Sequence, residues 1–417
     1  MSRIHIVGAG LAGLAAAVRL ARAGRRVTLY ESSGHAGGRC RSFHDSVIGA
    51  MIDNGNHLLL SGNRSAMAYL DEIGARDTLA GPDEAIFPFL DLATGERWTV
   101  RPNNGPVPWW ILSPRRRPAG CSTSDFASLL RFARAGPDAT VAERLGGSRM
   151  LYARFWEPLA VAALNTPADQ AAARPLWRVV RETFARGAGA CLPRIARDGL
   201  SASFVDPALA RLAAQGADIR FGHRLRTVTR RKGAVSHLDF TDAGVVVQPA
   251  DKVIVALPPA GLNAVLPEIE TPEGSHAIVN AHFRLDSPPK PGRETLILGL
   301  VGGVAQWLFV RGAVASVTVS AADAIVGQPA QSLGARLWRD VSVALDLPPG
   351  PPPPFRIVKE RRATFAQSPA AMRRRAATRT ATANLFLAGD WTDTGLPASI
   401  EGAVRSGHAA ARAVLDG

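Results

Sequence analysis

The sequence has few cysteines, few lysines and no long apolar runs. Its 417 residues contain no uncharged apolar stretch of about 18 residues or more, so no membrane-spanning helix is predicted. Cys40, Cys121 and Cys191 lie far apart, which excludes a metal-ligand spacing and favours a reducing compartment. Lysine is rare, so the net charge of +14 comes almost entirely from arginine. These features predict a cytoplasmic protein that holds no metal.

The basic charge alone leaves several partners open. The arginines are scattered and no nucleic-acid-binding motif is present, so nucleic acid is not an expected partner. A basic surface attracts anionic lipid or a phosphorylated substrate, but it is also compatible with an ordinary solvated surface. In Pro106–Arg117, aromatic and aliphatic residues precede three arginines, which suits a lipid interface. The Trp109–Arg117 region is therefore the candidate for peripheral membrane contact on the cytoplasmic face, with core packing of Trp109 and Trp110 as the alternative.

The N-terminal residues predict one β-α-β unit with a right-handed crossover. Ile4–Val7 is an apolar strand, and Leu11–Ala23 is an alanine-rich helix that Gly24 ends. Val27–Tyr30 is the second strand. Because the first strand begins almost at once and leads into a glycine turn, the N-terminus does not read as a signal peptide.

The turn between the first strand and the helix is a GxGxxG motif. Gly8 permits the tight turn, Gly10 lets the backbone approach a pyrophosphate, and Gly13 lets helix and strand pack closely. Leu11 and Ala12 open the helix, whose free N–H groups and positive dipole end face the phosphates. The motif predicts a dinucleotide site and by itself allows either NAD or FAD.

Glu31 and the loop that follows it narrow the choice of dinucleotide. Glu31 ends the second strand, where a carboxylate accepts hydrogen bonds from a ribose diol. Gly37, Gly38 and Arg39 begin a GG-R-x-x-S motif that resembles the flavoprotein group of amine oxidases and phytoene desaturases. The resemblance places the glycine backbone close to the cofactor and the Arg39 cation toward the pyrophosphate or flavin. Dehydrogenases that use NAD do not continue in this way, so FAD is the predicted cofactor.

The C-terminal motif Leu387–Gly407 resembles the same flavoproteins. A strand ends at Gly389 and Asp390, and a helix begins near Ser399. The resemblance implies that Asp390 binds the ribityl and phosphate part of FAD and that N–H groups around Ile400 face the flavin O2. No cysteine lies in this motif, so non-covalent FAD is expected.

A third segment is expected to belong to the cofactor site. Ile219–Val228 resembles the strand whose backbone contacts the adenine, with Leu225 at the contact position. No second strand–GxGxxG–helix unit follows, so a dedicated NAD(P)H domain is not expected. Apolar patterns predict further strands and helices in the ranges 253–257, 277–283, 329–345, 384–388 and 400–415.

The predicted fold class is α/β. It comprises a Rossmann-like FAD-binding domain of the GR2-type flavoproteins and an inserted α+β substrate domain with a mixed sheet and helices. The FAD-binding domain is discontinuous and takes residues 1–64, 200–260 and 356–417. The substrate-binding domain takes residues 65–199, expected to be mostly helical, and 261–355.

Three longer stretches together resemble one enzyme family, the bacterial hydroxysqualene dehydroxylases or squalene-associated FAD-dependent desaturases. They are Ile52–Asn63, Trp156–Pro167 and Ala388–Gly407. Phytoene desaturases share the general layout but match the first two stretches less well. The resemblance covers essentially the whole chain and implies reductive dehydroxylation of hydroxysqualene to squalene in hopanoid biosynthesis, with hydride from reduced flavin.

That reaction needs a proton donor for the leaving hydroxyl. His57 follows an Asp-Asn-Gly-Asn loop that is expected to reach the flavin, and Asn56 in this loop is a predicted cofactor contact. Asp393 in the C-terminal loop and Asp53 are the other candidates. Each also has a purely structural interpretation, as a packed histidine or a loop-capping aspartate, and the sequence leaves the choice open.

Two other functions are compatible with the same scaffold. One is an oxidative carotenoid or phytoene-type desaturase, in which hydride moves from the substrate to the flavin. The other is a non-catalytic flavin-binding partner of a squalene-forming complex. The electron donor that reduces FAD is not identified by the sequence.

Overall fold

The computed structural model describes residues 2–289 and 295–417. The strands of these residues, in chain order, are β1 Arg3–Val7, β2 Arg26–Tyr30, β3 Ser42–Asp45, β4 Ala50–Asp53, β5 Leu59–Leu60, β6 Leu79–Ala80, β7 Phe87–Asp91, β8 Arg97–Val100, β9 Pro193–Ala196 and β10 Asp218–Arg220. They continue with β11 Leu225–Arg231, β12 Ala234–Phe240, β13 Gly244–Val246, β14 Lys252–Val255, β15 Ser275–Arg284, β16 Thr295–Val301, β17 Trp307–Arg311, β18 Val314–Val319, β19 Phe355–Phe365 and β20 Leu385–Leu387.

The α-helices of the same residues lie between and after these strands. They are α1 Leu11–Arg22, α2 Arg64–Ile73, α3 Ser128–Ala133, α4 Val141–Leu145, α5 Arg149–Leu151, α6 Glu157–Leu164, α7 Ala173–Glu182, α8 Leu200–Phe204, α9 Asp206–Ala214, α10 Pro259–Asn263, α11 Ala330–Ala344, α12 Pro369–Arg373 and α13 Ile400–Leu415. Within the described ranges, no helix combines the length and the apolar character that crossing a bilayer requires.

A five-stranded parallel sheet joins segments from the start, middle and end of the chain. Its strand order is β10-β2-β1-β14-β20, and the central strands are buried on both faces. Ile6 and Leu29 point toward one hydrophobic core, whereas Val253 and Leu387 point toward a second core on the opposite face. Apolar runs of this kind are typical of parallel strands that are covered on both sides. The predicted Rossmann-like fold is confirmed.

The first and last helices cover one face of this sheet together. A Cβ added to Gly407 of α13 would lie 2.2 Å from the carbonyl oxygen of Ala12 in α1, so only glycine allows this separation. α2 and α9 complete the same layer. The antiparallel sheet β11-β12-β13 contributes to the core on the opposite face. The N- and C-terminal nucleotide motifs are thus held side by side.

A seven-stranded mixed sheet forms the second part of the molecule. Its strand order is β19-β15-β18-β17-β16-β7-β8. Among the described strands of this sheet, β16 and β7 pair in parallel and all other neighbours pair antiparallel. Alternation along the strands gives it two different faces. One face packs on α11 through residues such as Val317 and Leu308. The other carries Phe89, Trp98 and Phe309 and packs on the helices between β8 and β9.

Two expectations about the elements are corrected by the structure. Ile219–Val228 is not one strand, because Gly222 adopts a φ of +78° and the chain turns between β10 and β11, which join different sheets. The range 65–199 carries helices as expected, and its strands β7 and β8 extend the mixed sheet. β19 pairs with β15, so residues 356–365 belong with the mixed sheet and not with the parallel one.

Candidate active site

The glycine turn leaves one open position above the start of α1. A Cβ on Gly8 would lie 2.6 Å from the Ala256 carbonyl oxygen, and one on Gly13 would lie 1.9 Å from the Gly8 carbonyl oxygen. These two glycines are therefore required for packing. Gly10 differs, because no atom lies within 4 Å of the Cβ position. A ligand can approach the backbone there, beside the unpaired first-turn N–H groups of Leu11 and Ala12.

The second glycine loop lies directly against this turn. Gly37 N–H donates to the Ala9 carbonyl at 2.8 Å, and Gly37 forms a parallel bridge with Gly10. Gly37 has a φ of +102°, and Gly38 has a φ of +58° with its Cβ position 3.4 Å from the Gly10 Cα. Neither position suits an L side chain. The two glycine segments that the sequence placed in the cofactor site therefore form one backbone surface.

Glu31 lies at the end of β2, next to the turn that leads into β11. One Glu31 carboxylate oxygen accepts the Ala9 N–H at 2.9 Å, and the other accepts the Ser33 N–H at 2.9 Å. The His223 N–H donates to the Glu31 carbonyl at 2.8 Å, which brings the turn before β11 to the same place. Leu225 begins β11 and is buried against the core on that side of the parallel sheet. This end of the site has the carboxylate that a ribose diol requires.

An arginine and an aspartate connect the two ends of the chain. The Arg39 guanidinium donates to Asp390 Oδ1 at 2.7 Å and also to the Ala363 carbonyl. The neighbouring Asp390 carboxylate raises the pKa of Arg39 above its ordinary value. Asn54 stabilises the loop that contains Arg39, since its amide donates to the Arg39 carbonyl at 2.7 Å. The basic and acidic residues predicted to contact the cofactor thus meet each other.

The last loop leads into the N-terminus of α13. Gly389 has a φ of +152°, and its N–H donates to Ser406 Oγ at 2.6 Å. Ser399 caps the helix, since its hydroxyl accepts the Gly402 N–H at 3.1 Å. Ile400 is the first helical residue, so its N–H lies in the first turn, where a helix has no internal acceptors. The geometry offers donors and a positive dipole end to an anionic group.

Asp53, Asn56 and His57 line one small cavity between the two parts of the molecule. The remaining lining residues are Ile195, Ala196, Leu200, Phe309 and Arg311. The lining therefore combines polar and apolar side chains.

The structure gives the three predicted proton donors different surroundings. Asp53 is buried and its carboxylate accepts from Ser42 Oγ at 2.6 Å, from the Leu200 N–H at 2.9 Å and from Arg311 at 2.8 Å. These three contacts hold the Asp53 carboxylate in place. Asp393 is exposed, and its carboxylate accepts the Gly395 N–H within a local turn. These two residues fit the structural interpretation better than the acid role.

His57 lies in the cavity, and burial lowers the pKa of its imidazole below the ordinary value of 6.5. The Arg39 cation lowers this pKa further, while the Asp53 carboxylate opposes the shift. The neutral imidazole is therefore the main form at pH 7. Asn56 is held by a hydrogen bond from its amide to Thr318 Oγ1 at 3.0 Å, which fixes the loop on β18.

Sequence reasoning missed a polar group on the mixed sheet beside this cavity. Thr318 donates to the Asn280 side chain at 2.7 Å, and Asn280 in turn donates to the Asn54 carbonyl at 3.3 Å. His282 is fully buried, its Nδ1 lies 2.8 Å from Ser316 Oγ, and burial lowers its pKa to about 4. These residues alternate with apolar ones along β15 and β18, and this alternation is the sequence pattern that could have identified them.

Gln367 and Arg375 were also missed, and both hold the C-terminal loop. Gln367 is buried, donates to the Leu164 carbonyl at 2.6 Å and accepts the Ala398 N–H at 3.0 Å. It thereby connects the end of α6 with the residue before the Ser399 cap. Arg375 donates to several carbonyls of the loop. No local pattern marks either residue, because their partners lie far away in the sequence.

A second cavity of about 550 Å³ lies beside the short 3₁₀ segment Trp109–Leu112. Its lining residues are Asp83, Glu84, Ala85, Arg101, Pro102, Asn103, Asn104, Trp109, Arg116, Ala188, Gly189 and Leu192. None of the predicted catalytic or cofactor residues is among them. Within the described residues, no cluster of histidine, cysteine, aspartate or glutamate has the arrangement of a metal site.

Comparison with known proteins agrees with this geometry. The model of the family described as flavin containing amine oxidoreductase matches residues 11–415. Hydroxysqualene dehydroxylase from Rhodopseudomonas palustris is 45% identical over 417 residues, covering 99% of this chain and 98% of the relative. The enzyme of that name from Zymomonas mobilis is 43% identical over 416 residues, covering 100% and 99%.

More distant relatives share less of the chain or only its fold. A probable zeta-carotene desaturase from Synechococcus elongatus is 28% identical and covers 64% of this chain and 60% of the relative. The structure of cyclohexylamine oxidase from Brevibacterium oxydans matches with a TM-score of 0.72 at 15% identity, over 100% of this chain and 99% of the other.

The fold and the two-ended nucleotide site define an FAD-dependent oxidoreductase. The chain belongs to the flavin-containing amine oxidoreductase family and, within it, to the group of the hydroxysqualene dehydroxylases. The open position above Gly10, the first-turn N–H groups of α1 and the Glu31 carboxylate match the pyrophosphate and ribose of FAD. Asp390 and the N-terminus of α13 lie in the second nucleotide motif, which the Arg39–Asp390 contact joins to the first.

Proposed function

We infer that this protein is a hydroxysqualene dehydroxylase, which replaces the hydroxyl group of hydroxysqualene with hydrogen to give squalene. The reduced form of bound FAD supplies the hydride, and the hydroxyl leaves as water once it is protonated. The near-full-length similarity to enzymes of that name carries the choice of substrate. We place the hydroxyl group of the substrate at the small cavity that Asp53, Asn56 and His57 line.

We propose that His57 is the residue that faces the leaving hydroxyl. It lines the cavity, whereas Asp53 is occupied by three donors and Asp393 faces solvent. Phe309 and Leu200 are apolar residues of the same lining. In the proposal these side chains exclude water, which would otherwise return a cationic substrate to the alcohol. The Asp53 carboxylate, which pairs with Arg311, lines the same cavity and lies where it can stabilise the developing positive charge.

Product analysis tests the proposed function directly. The FAD-loaded enzyme is reduced without oxygen and mixed with hydroxysqualene, and the lipids are then separated. We expect squalene to form in an amount equal to the FAD that is oxidised. Phytoene-driven bleaching of oxidised enzyme with no squalene formation would instead support the carotenoid desaturase. Bound FAD with no turnover of either lipid would support a non-catalytic partner.

We also propose that the cofactor and substrate regions correspond to the two sheets. The cofactor region contains the parallel sheet and takes residues 1–64, 200–260 and 366–417, with the boundary moved from 356 because β19 pairs with β15. The substrate region takes the remaining residues. Hydrogen exchange with and without FAD should show protection concentrated in the first region, and uniform protection of both would contradict the division.

We further propose that the segment Val107–Leu112 contacts anionic lipid. Val107, Trp109 and Leu112 are 70%, 47% and 64% exposed, whereas Trp110 is buried in the core. The Arg116 guanidinium lies 4.8 Å from the centre of the Trp109 ring, so a cation borders the apolar side chains. Exposed apolar residues beside arginines are typical of a peripheral membrane contact. Such a contact suits an enzyme whose substrate dissolves in lipid.

Vesicle flotation tests this surface. The triple variant Val107→Ser, Trp109→Ser, Leu112→Ser should lose binding to phosphatidylglycerol vesicles, while wild-type protein floats with them. Arg117 is left intact, because it donates to the Ile111 and Cys121 carbonyls and holds the segment in place. Val246→Ser, a similarly exposed position on β13, is the matched control. Equal flotation of the triple variant and wild type would overturn the proposal.

A further inference from the structure

Arg375 lies after α12, and its guanidinium is buried inside the loop between β20 and α13. Its acceptors are four backbone carbonyls and one hydroxyl of the same loop. Nη1 donates to Leu396 at 2.7 Å, Nε donates to Trp391 at 3.1 Å, and Nη2 donates to Asp390 at 3.1 Å. The carbonyl of Thr392 and the hydroxyl of Thr394 complete the set.

This arrangement depends on the shape of a guanidinium group. Five N–H donors in a fixed plane can reach carbonyls that point inward from a closed loop, whereas an ammonium has three donors at a single point. Arg375 is only 7% exposed, and burial lowers its pKa to about 10, partly offset by the Asp393 and Asp390 carboxylates. The group therefore stays charged at neutral pH. The loop carbonyls replace the water molecules that would otherwise hydrate this cation.

The same loop carries the groups that face the cofactor. The Asp390 carbonyl is bound by Arg375, while the Asp390 carboxylate is bound by Arg39. The indole N–H of Trp391 donates to the Leu257 carbonyl at 2.9 Å and fixes the loop on the end of β14. The loop then leads to Ser399, the cap of α13. A change in its conformation would move both Asp390 and the helix N-terminus.

We propose that Arg375 is a positioning residue for FAD. Its guanidinium holds the 390–396 loop in the one conformation that presents Asp390 and the α13 N-terminus to the flavin half of the cofactor. Its buried positive charge also favours the reduced flavin, which carries negative charge. The inference requires FAD binding and is independent of which lipid the enzyme uses.

Two substitutions separate the shape of the side chain from its charge. Arg375→Lys keeps the charge but loses the five-donor plane, and Arg375→Gln loses both. Arg374→Gln is the matched control, because Arg374 is adjacent in sequence but lies at the surface in ion pairs with Glu270 and Glu273. Each FAD-free protein is titrated with FAD by fluorescence quenching. The visible circular dichroism and midpoint potential of the bound flavin are then measured.

Both Arg375 variants should bind FAD at least about tenfold more weakly than wild type, and the control should bind within about twofold. Their flavin circular dichroism should change, and the midpoint potential should fall more in Arg375→Gln than in Arg375→Lys. Millimolar guanidinium ion should restore part of the affinity of Arg375→Gln. If only Arg375→Lys folds, its FAD affinity and the hydrogen exchange of residues 390–396 decide the outcome. Wild-type affinity and an unchanged flavin spectrum in Arg375→Lys would overturn the proposal.

Discussion

Arg39 and Asp390 are separated by 351 residues in the sequence, and their side chains form a 2.7 Å hydrogen bond. This contact lies where the second glycine loop meets the loop that leads into α13. It explains why cofactor motifs at opposite ends of the chain act as one site. Removal of either partner leaves a charge without its counter-ion beside the position of the cofactor.

Asp390→Asn should weaken FAD binding by about tenfold to a hundredfold, because Arg39 loses a charge-assisted hydrogen bond. Titration of the FAD-free protein measures the change. Asp71→Asn is the matched control, since it removes an aspartate that pairs with Arg76 on the surface. Equal FAD affinities of the two variants would contradict the role of Asp390.

Gly10→Ala tests whether the open position above α1 is occupied by a ligand. Gly10 has a φ of −72°, which any residue adopts, and its Cβ position is free of neighbours. The FAD-free variant should therefore keep the melting temperature of wild type and bind FAD at least about tenfold more weakly. Gly327→Ala, at an exposed glycine with equally free space, should change neither quantity. Normal FAD binding by Gly10→Ala would show that the pyrophosphate does not lie at this position.

Gly13→Ala should behave differently from Gly10→Ala. Its Cβ would lie 1.9 Å from the Gly8 carbonyl oxygen, so α1 could not keep its distance from β1. The melting temperature of the FAD-free protein should fall by several degrees, as expected for overpacking that costs about 1–3 kcal/mol. Thermal unfolding followed by circular dichroism measures this, and an unchanged midpoint would show that the turn can relax.

The pH dependence of turnover tests His57. Burial lowers its pKa below 6.5, so the protonated form becomes populated only as the pH falls below that value. If His57 donates the proton, single-turnover rates should rise as the pH falls below 6.5 and level off once the imidazole is protonated. His57→Asn should lower the rate by about a hundredfold, remove this rise and leave FAD affinity unchanged. A rise that persists in the variant would assign the proton to another group.

His282 should contribute to the loss of stability in acid. Its pKa is about 4 in the native protein and 6.5 in the unfolded chain, so below pH 6.5 the unfolded chain binds the proton first. The free energy of unfolding should therefore fall as the pH drops from 6.5 to 4, by up to about 3 kcal/mol from this group. His282→Asn should reduce this slope, as measured by urea unfolding across the range. An unchanged slope would mean that His282 is accessible to protons in the native state.

Local patterns were sufficient to predict the cofactor half of the fold. The sequence predicted helices α1 and α13 and strands β1 and β14. Their signals, apolar periodicity and glycine turns, lie within short continuous stretches of the chain. The site prediction was weaker where tertiary partners decide a role. Asp53 is a candidate acid by its place in the sequence, and its ion pair with Arg311, 258 residues later, is visible only in the fold.

Arg375 shows the same limitation, in this case for a residue that the sequence did not single out. It is the last of three consecutive arginines, and nothing in the sequence distinguishes it from Arg373 and Arg374, which form surface ion pairs. It is buried because residues 390–396 close around it. Burial of this kind depends on a loop that is distant in the sequence, so no local periodicity predicts it.

Isotope transfer in one turnover tests the central claim most directly. The enzyme is reduced and equilibrated in D2O without oxygen, so that the transferable hydrogen of the flavin is deuterium, and hydroxysqualene is then added. The account predicts squalene with one deuterium at the carbon that carried the hydroxyl, formed together with oxidised FAD. Squalene without deuterium, or a product with an added double bond, would contradict it.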